Sequence, residues 1–410
     1  MSKLNDLITK LCPDGVQYRK LGEIEKDGLI KLGRGKVISK KDIANNPGTY
    51  PIYSASAMNN GKFGEYGDYM FDDIRLTWSI DGGGRFFYRD DEKYSVTNVC
   101  GWLKVIDENA FNPKFLFYVL TSQWSKLVFN YTIKAHPSVI RNTYDIPMVP
   151  LPVQSEIVRI LDAFTELEAE LEAELADRIE QYEYYRDYLL DKKNLAAMDG
   201  KPVEMKPMWA ITTWDKKFNG VDKKQQPAIN RHHYYLAKEL EPLIVPNGDI
   251  KVLTTSPSDS YTTVELAKDN IKDGEIVAIP WGGNAIVQYY NGKYITSDNR
   301  IAIVNDEKQL NCKFLFYVLK NREKELAKYY RGAGIKHPDM FKVLHMEIPV
   351  PSLATQERIV DILDRFDTLT TSLTDGIPAE IAMRREQYEY FRSRLLDFPR
   401  LPDDSDSDGE

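Results

Sequence analysis

The sequence predicts an α+β chain of two β-rich mixed globular regions, each leading into a long helical region. Three observations carry that prediction. First, the chain contains itself twice. The heptapeptide Lys-Phe-Leu-Phe-Tyr-Val-Leu at 114–120 returns unchanged at 313–319, and Ile133 to Pro137 returns as Ile335 to Pro338. Gln154 to Asp162 returns as Gln356 to Asp364, and Gln181 to Arg186 as Gln387 to Arg392. The separation drifts only from 199 to 206 residues, far beyond the ~20–50 residues of a solenoid repeat. The duplicated object is therefore a domain with its helix. Second, the stretch after each domain carries apolar residues at helical spacing. Third, the globular stretches are short runs of Tyr, Trp, Ile, Val and Thr broken by Gly, Asn, Asp and Pro, the pattern of strands and turns.

Residues 1–153 form the first globular region. Its clearest strand is 76–80, which runs through Trp78 into Asp81-Gly82-Gly83-Gly84, and a short helix over 113–130 closes it. The first helical region is 154–200. Its stripe is Ile157, Leu161, Phe164, Leu167, Leu171, Leu175, Ile179, Tyr182, Tyr185 and Leu189, a coiled-coil-like seam. Pro150 and Pro152 stand just before it and no Gly or Pro interrupts it. Forty residues at ~1.5 Å each span roughly 60 Å.

Residues 201–353 repeat the globular plan. A strand at 276–281 runs into Gly282-Gly283-Asn284, with Trp281 set against Trp78, and a helix over 312–330 closes the region. In the second helical region, 354–400, the stripe Ile359, Leu363, Phe366, Leu369, Leu373 meets Gly376-Ile377-Pro378. Proline removes an amide donor and biases its predecessor away from helix. Two helices are therefore expected, 355–374 and 379–397, the second resuming the stripe with Tyr388 and Phe391. The acidic tail 401–410 is expected to be disordered. Val16-Gln17-Tyr18 and Leu21 echo Val203-Glu204-Met205 and Met208. The chain thus reads as a ring that starts partway through a repeat, with its termini brought together.

The formal net charge is −8, but it is unevenly spread. Both globular regions are mildly basic and both helical regions are strongly acidic, as expected if the globular parts meet phosphate and the helices meet protein. Three scattered cysteines, Cys12, Cys100 and Cys312, make neither a disulfide framework nor a metal-ligand spacing. With no long apolar run, this predicts a cytoplasmic protein without a membrane segment. No phosphate-binding loop, amino-methyltransferase tetrapeptide or zinc pattern is found. Asp90-Asp91-Glu92-Lys93 reads as a solvated turn rather than a nuclease core. No catalytic or metal-binding residue is expected.

Lysines and arginines interleaved with aromatics and amides are the mixture that contacts phosphates and base edges. The first region offers Arg34, Lys36, Lys40, Lys41, Tyr53, Ser54, Trp78 and Arg85. The second offers Lys216, Lys217, Lys223, Lys224, Arg231-His232-His233-Tyr234, Trp281 and Asn284. Lys134 with His136, and Lys336 with His337, sit in matched loops before a proline. For any one of these, solvated surface or core packing is the plainer alternative.

The segment from Pro147 to Asp162, its partner from Pro349 to Asp364, and the helix ends at 181–190 and 387–396 resemble the specificity subunits of type I restriction–modification systems. The resemblance covers nearly the whole chain. It implies two target-recognition domains, each reading half of an asymmetric bipartite DNA site. The two helical regions would pack antiparallel about a pseudo-twofold axis as a ruler for the spacer. It further implies a non-catalytic subunit on double-stranded DNA that joins two adenine-methylating subunits and, optionally, two restriction–motor subunits. S-adenosylmethionine would sit on the methylating partner, with no cofactor on this chain. The break at Gly376-Ile377-Pro378 departs from the family pattern. A coiled-coil scaffold that binds only protein, and a self-sufficient nuclease or methylating enzyme, are the competing readings.

Overall fold

The computed structural model describes residues 2–56, 59–90, 93–129 and 132–401. The acidic tail beyond Leu401, and Asp91-Glu92 of the charged turn, lie outside them. The chain divides into two compact units. One holds the residues up to Glu172 together with those from Glu380, and the other holds Ala173–Ala379. Each helical region is thus shared between the units.

In the first unit a four-stranded antiparallel sheet has the order Ile30–Arg34, Cys100–Val105, Arg75–Ser79, Phe86–Arg89. Tyr18–Lys20 pairs with Asp145–Pro147, and a smaller sheet joins Lys62–Tyr66, Tyr50–Tyr53 and Ser95–Val96. The second unit repeats the arrangement. Thr212–Trp214, Asn299–Val304, Lys272–Pro280 and Gln288–Thr296 take the same order, extended by Ile250–Leu253 and Tyr261–Thr262. Glu204–Pro207 pairs with Glu347–Val350, so the echo at the front of the chain is a structural equivalence.

The ladders correct one expectation. Ile30 pairs with Val105 and Trp78 with Gly101 in the first unit. Thr212 pairs with Val304 and Ile279 with Arg300 in the second. At the strand ends the Ile80 amide reaches Val99 O and the Trp281 amide reaches Asp298 O. Trp281 therefore matches Ile80, and Trp78 matches Ile279. Matching the tryptophans by the glycines that follow them slips the register by one pleat repeat.

The short helix of the first unit is Pro113–Trp124, ending sooner than expected. Its counterpart is Cys312–Asn321 followed by Glu323–Ala327, and Tyr330 already belongs to a strand. The first long helix runs unbroken over Leu151–Leu190. Pro152 lies inside its first turn rather than before it, where a missing amide costs no helical hydrogen bond. The second region is two helices as expected, Leu353–Thr371 and Ile377–Leu395, but the break falls earlier, over 372–376. Ile377 and Pro378 belong to the first turn of the second helix, where a proline's missing amide costs no helical hydrogen bond.

The stripe divides by task. Ile157 and Leu161 lie in the core of the first unit, among Phe115, Leu116 and Val119. Ile359 and Leu363 lie likewise among Phe314, Leu315 and Val318. Further along, helices meet each other. Phe164 stacks on Phe391 at 5.5 Å and touches Tyr388 at 6.5 Å, while Arg385 bonds Glu168 and Glu172. Rising numbers face falling ones, so the packing is antiparallel. Leu171 of the same stripe is buried in the first unit, and in the second unit Tyr182 and Tyr185 lie against Phe366 at 6.1 and 5.6 Å.

The two signature residues of the repeat pin each helix to its domain. Gln154 is fully buried. Its Oε1 accepts the Asn112 amide at 2.9 Å, and its Nε2 donates to Ala110 O and Val149 O at 2.9 and 2.7 Å. Gln356 does the same with the Asn311 amide, Gln309 O and Pro351 O at 2.8, 2.9 and 2.9 Å. Eight residues on, Asp162 accepts Tyr118 Oη at 2.5 Å and Lys114 Nζ at 2.8 Å, matched by Asp364 with Tyr317 at 2.5 Å and Lys313 at 2.7 Å. Burial and the facing carboxylate push both phenols well above their usual range. The recurrence is a repeated polar staple.

The first and last segments also meet within the first unit. The Val16 amide donates to Pro399 O at 2.8 Å, the Leu401 amide to Val16 O at 3.1 Å, and Tyr18 Oη to Phe398 O at 3.0 Å. All three cysteines are buried free thiols.

Candidate nucleic-acid interface

In each unit the outermost strand of the main sheet ends in a basic strap. After Ile30–Arg34 the chain runs through Lys36 to Lys40 and Lys41 at the start of a helix, Lys40–Asn45. The strap is tethered by the Gly35 amide to Cys100 O at 3.1 Å and the Lys36 amide to Val96 O at 3.2 Å. A side chain at Gly35 would meet Val96 O at 1.9 Å, so only glycine permits this approach. Arg34, Lys36, Lys40 and Lys41 are exposed. Arg34 and Lys36 border a cleft of about 580 Å³ with Tyr69, Phe71 and Trp102 in its wall.

The other first-unit candidates form a neighbouring edge, with one exception. Tyr53 ends its strand beside Val96, and Ser54 Oγ lies 2.8 Å from Thr97 Oγ1. Ser79 Oγ donates to Ala55 O at 2.7 Å, linking that loop to the glycine turn. Lys134 pairs with Asp81 of the same turn at 3.0 Å. His136 caps the helix Pro137–Thr143, and the exposed Arg85 lies 5.4 Å over Phe87. The exception is Trp78, which is 0% exposed and donates its indole N–H to Ala135 O at 2.7 Å. It is a core residue that ties the turn to the Lys134 loop, and it leaves the interface.

In the second unit the strap after Thr212–Trp214 carries Lys216 and Lys217, then Lys223 and Lys224 in a short 3-10 turn. Lys216 and Lys217 border a cleft of about 500 Å³ with Arg231, His232 and Tyr234. Lys224 lines an adjoining hollow with Trp209 and Trp214, which Lys216 also borders, and Lys223 is exposed. Trp281 is half-buried under Lys216, whose Nζ lies 4.8 Å from the ring. The matched loop arrives on its other side, with His337 5.1 Å away and its Nδ1 bonded to Trp281 O at 2.7 Å. A carbonyl can only accept, so Nδ1 carries the proton. Lys336 is exposed and its carbonyl takes the Gly283 amide at 3.0 Å, next to the exposed Asn284.

Sequence reasoning missed the network beneath this surface. Arg300 is 0% exposed, with Nη1 3.0 Å from Asp215 and Nη2 bonded to Asp298. Asp215 also takes Tyr234 Oη at 2.5 Å and the Ile301 amide at 2.9 Å. Burial and that carboxylate drive the Tyr234 phenol far up. Burial lowers the His232 pKa, and the ring sits with Nδ1 on Asn230 O and Nε2 on Tyr294 Oη, both at 2.8 Å. An arginine inside the apolar run Arg300-Ile301-Ala302-Ile303 was the available signal. Two further features went unread. Arg75, paired with Asp73, lies 3.6 Å over Phe71 behind the first cleft. On the helices, Tyr184, Tyr188 and Tyr390 are 64%, 49% and 53% exposed. Among the described residues no group of His, Cys, Asp and Glu could hold a metal ion, and no helix is long and apolar enough to cross a membrane.

Each of the two similar units has a basic strap beside an aromatic cleft and is stapled to a long helix. The family model for the type I restriction–modification DNA specificity domain matches residues 13–181 and 233–383, and the chain belongs to that family. It is 32% identical over 319 residues to the EcoR124I/EcoR124II specificity subunit of Escherichia coli, covering 76% of this chain and 73% of that one. A putative specificity subunit of Haemophilus influenzae is 31% identical over 412 residues, covering 93% and 96%. Among solved structures, a type I S subunit from M. genitalium superposes with a TM-score of 0.60 at 15% identity, covering 93% and 96%.

Proposed function

We propose that each globular unit reads one half of a bipartite, asymmetric site on double-stranded DNA and that the helical regions set the gap between the halves. The observation that carries this reading is the duplication in register, which ends the same edge strand in a basic strap in both units. Helix surfaces at 151–190 and 377–395 then dock two adenine-methylating subunits, with the exposed Tyr184 and Tyr390 as recurring contacts. Two restriction–motor subunits can join the same assembly. S-adenosylmethionine belongs to the methylating partner, and this chain supplies recognition without chemistry, in the cytoplasm. The family match leaves the protein-only scaffold without support.

Exchanging residues 21–144 for those of another family member keeps both flanking ladder strands, Tyr18–Lys20 and Asp145–Pro147. The chimera is expected to change one half of the methylated motif and to keep the other half and the gap. A chimera that changes both halves, or neither, contradicts the division of labour.

A further inference from the structure

The strand registers place two cations at one equivalent position. Arg34 pairs with Gly101 in the first unit. In the second, Trp214 pairs with Ala302 and the Asp215 amide continues to Ile301 O at 3.1 Å, so the next residue, Lys216, comes opposite Arg300. Gly101 and Arg300 are themselves equivalent, since Trp78 and Ile279 face them across the neighbouring ladder. Arg34 and Lys216 are therefore the same place in two copies of one fold, at the point where the edge strand becomes the strap.

Both are cations that pair with no carboxylate among the described residues, although acids stand nearby. Asp215, next in sequence to Lys216, is occupied by Arg300, Tyr234 and the Ile301 amide, and Asp298 by Arg300. Asp42 and Asp68 line the Arg34 cleft, but Asp42 is taken by Ser39 and Asp68 by the Tyr69 amide. Lys216 is half-buried, and burial together with the Arg300 guanidinium pulls its pKa below the usual lysine range. A cation held beside a second cation over an indole face is an arrangement that an arriving anion relieves.

We propose that Arg34 and Lys216 are matched anchors for the DNA backbone, each gripping one phosphate of the half-site its unit reads. This rests on the DNA-reading function above and adds what these two residues do in it. They set the position of the strap on the duplex and do not choose its bases.

The test uses the chain assembled with its methylating subunits. Arg34→Gln and Lys216→Gln keep much of each side chain's length and remove the charge, and Lys308→Gln serves as an exposed control in a turn of the second globular region. Binding is measured against salt on a duplex carrying the mapped motif and on a scrambled duplex. Each anchor variant should lower the slope of log affinity against log salt by about 1. Affinity should fall by a similar factor on both duplexes, with the methylated motif unchanged. Lys216→Arg, which keeps the charge, should keep the slope. An unchanged slope in both anchor variants overturns the proposal, as does a change in the motif, which would make these residues base readers. A wild-type complex that ignores DNA would instead defeat the function itself.

Discussion

Replacing Arg300 with Met should destabilise the second unit by about 3–5 kcal/mol, the usual result of removing one partner of a buried ion pair. Asp215 would be left 2% exposed with its charge uncompensated, retaining only Tyr234 and the Ile301 amide. In a unit of this size the loss corresponds to a fall in melting temperature of roughly 6–20 °C. Adding Asp215→Asn to Arg300→Met should recover part of it, because the stranded charge is what costs most. Thermal unfolding of the full chain and of both variants decides the matter. A loss below about 1 kcal/mol, the range of exposed pairs, would mean that Arg300 is not buried as described.

The second large effect is expected at the staples. Gln154→Leu and Gln356→Leu each remove an amide that bonds one backbone N–H and two carbonyls. With each unmet buried group costing about 1–3 kcal/mol and water reaching some of them, about 3 kcal/mol is expected per site. Denaturant unfolding of the two variants should give similar losses, because the two sites are copies. A loss at one site alone would show that the repeat of sequence is not a repeat of mechanism.

Periodic and repeated features are legible in the amino-acid order alone. The 151–190 helix, the break near Pro378 and the duplication follow from spacing and self-similarity, which survive folding unchanged. Basic straps are legible as composition, and several of their lysines stand at the clefts. Trp78 is misread because a tryptophan before a glycine turn looks the same whether it faces the core or the solvent; only the ladder shows that it matches Ile279. Asp215 and Arg300 are 85 residues apart, so no local pattern announces their pairing. Gln154 and Gln356 are visible as a recurrence, yet their task depends on loop carbonyls that carry no side-chain signature.

Single-molecule methylation mapping of DNA from cells that co-express this chain with its methylating subunit tests the central claim most directly. A two-headed reader predicts a methyl-adenine motif in two unequal blocks separated by a fixed gap. A soluble, assembled complex that writes no new motif, or writes one continuous block, would contradict it.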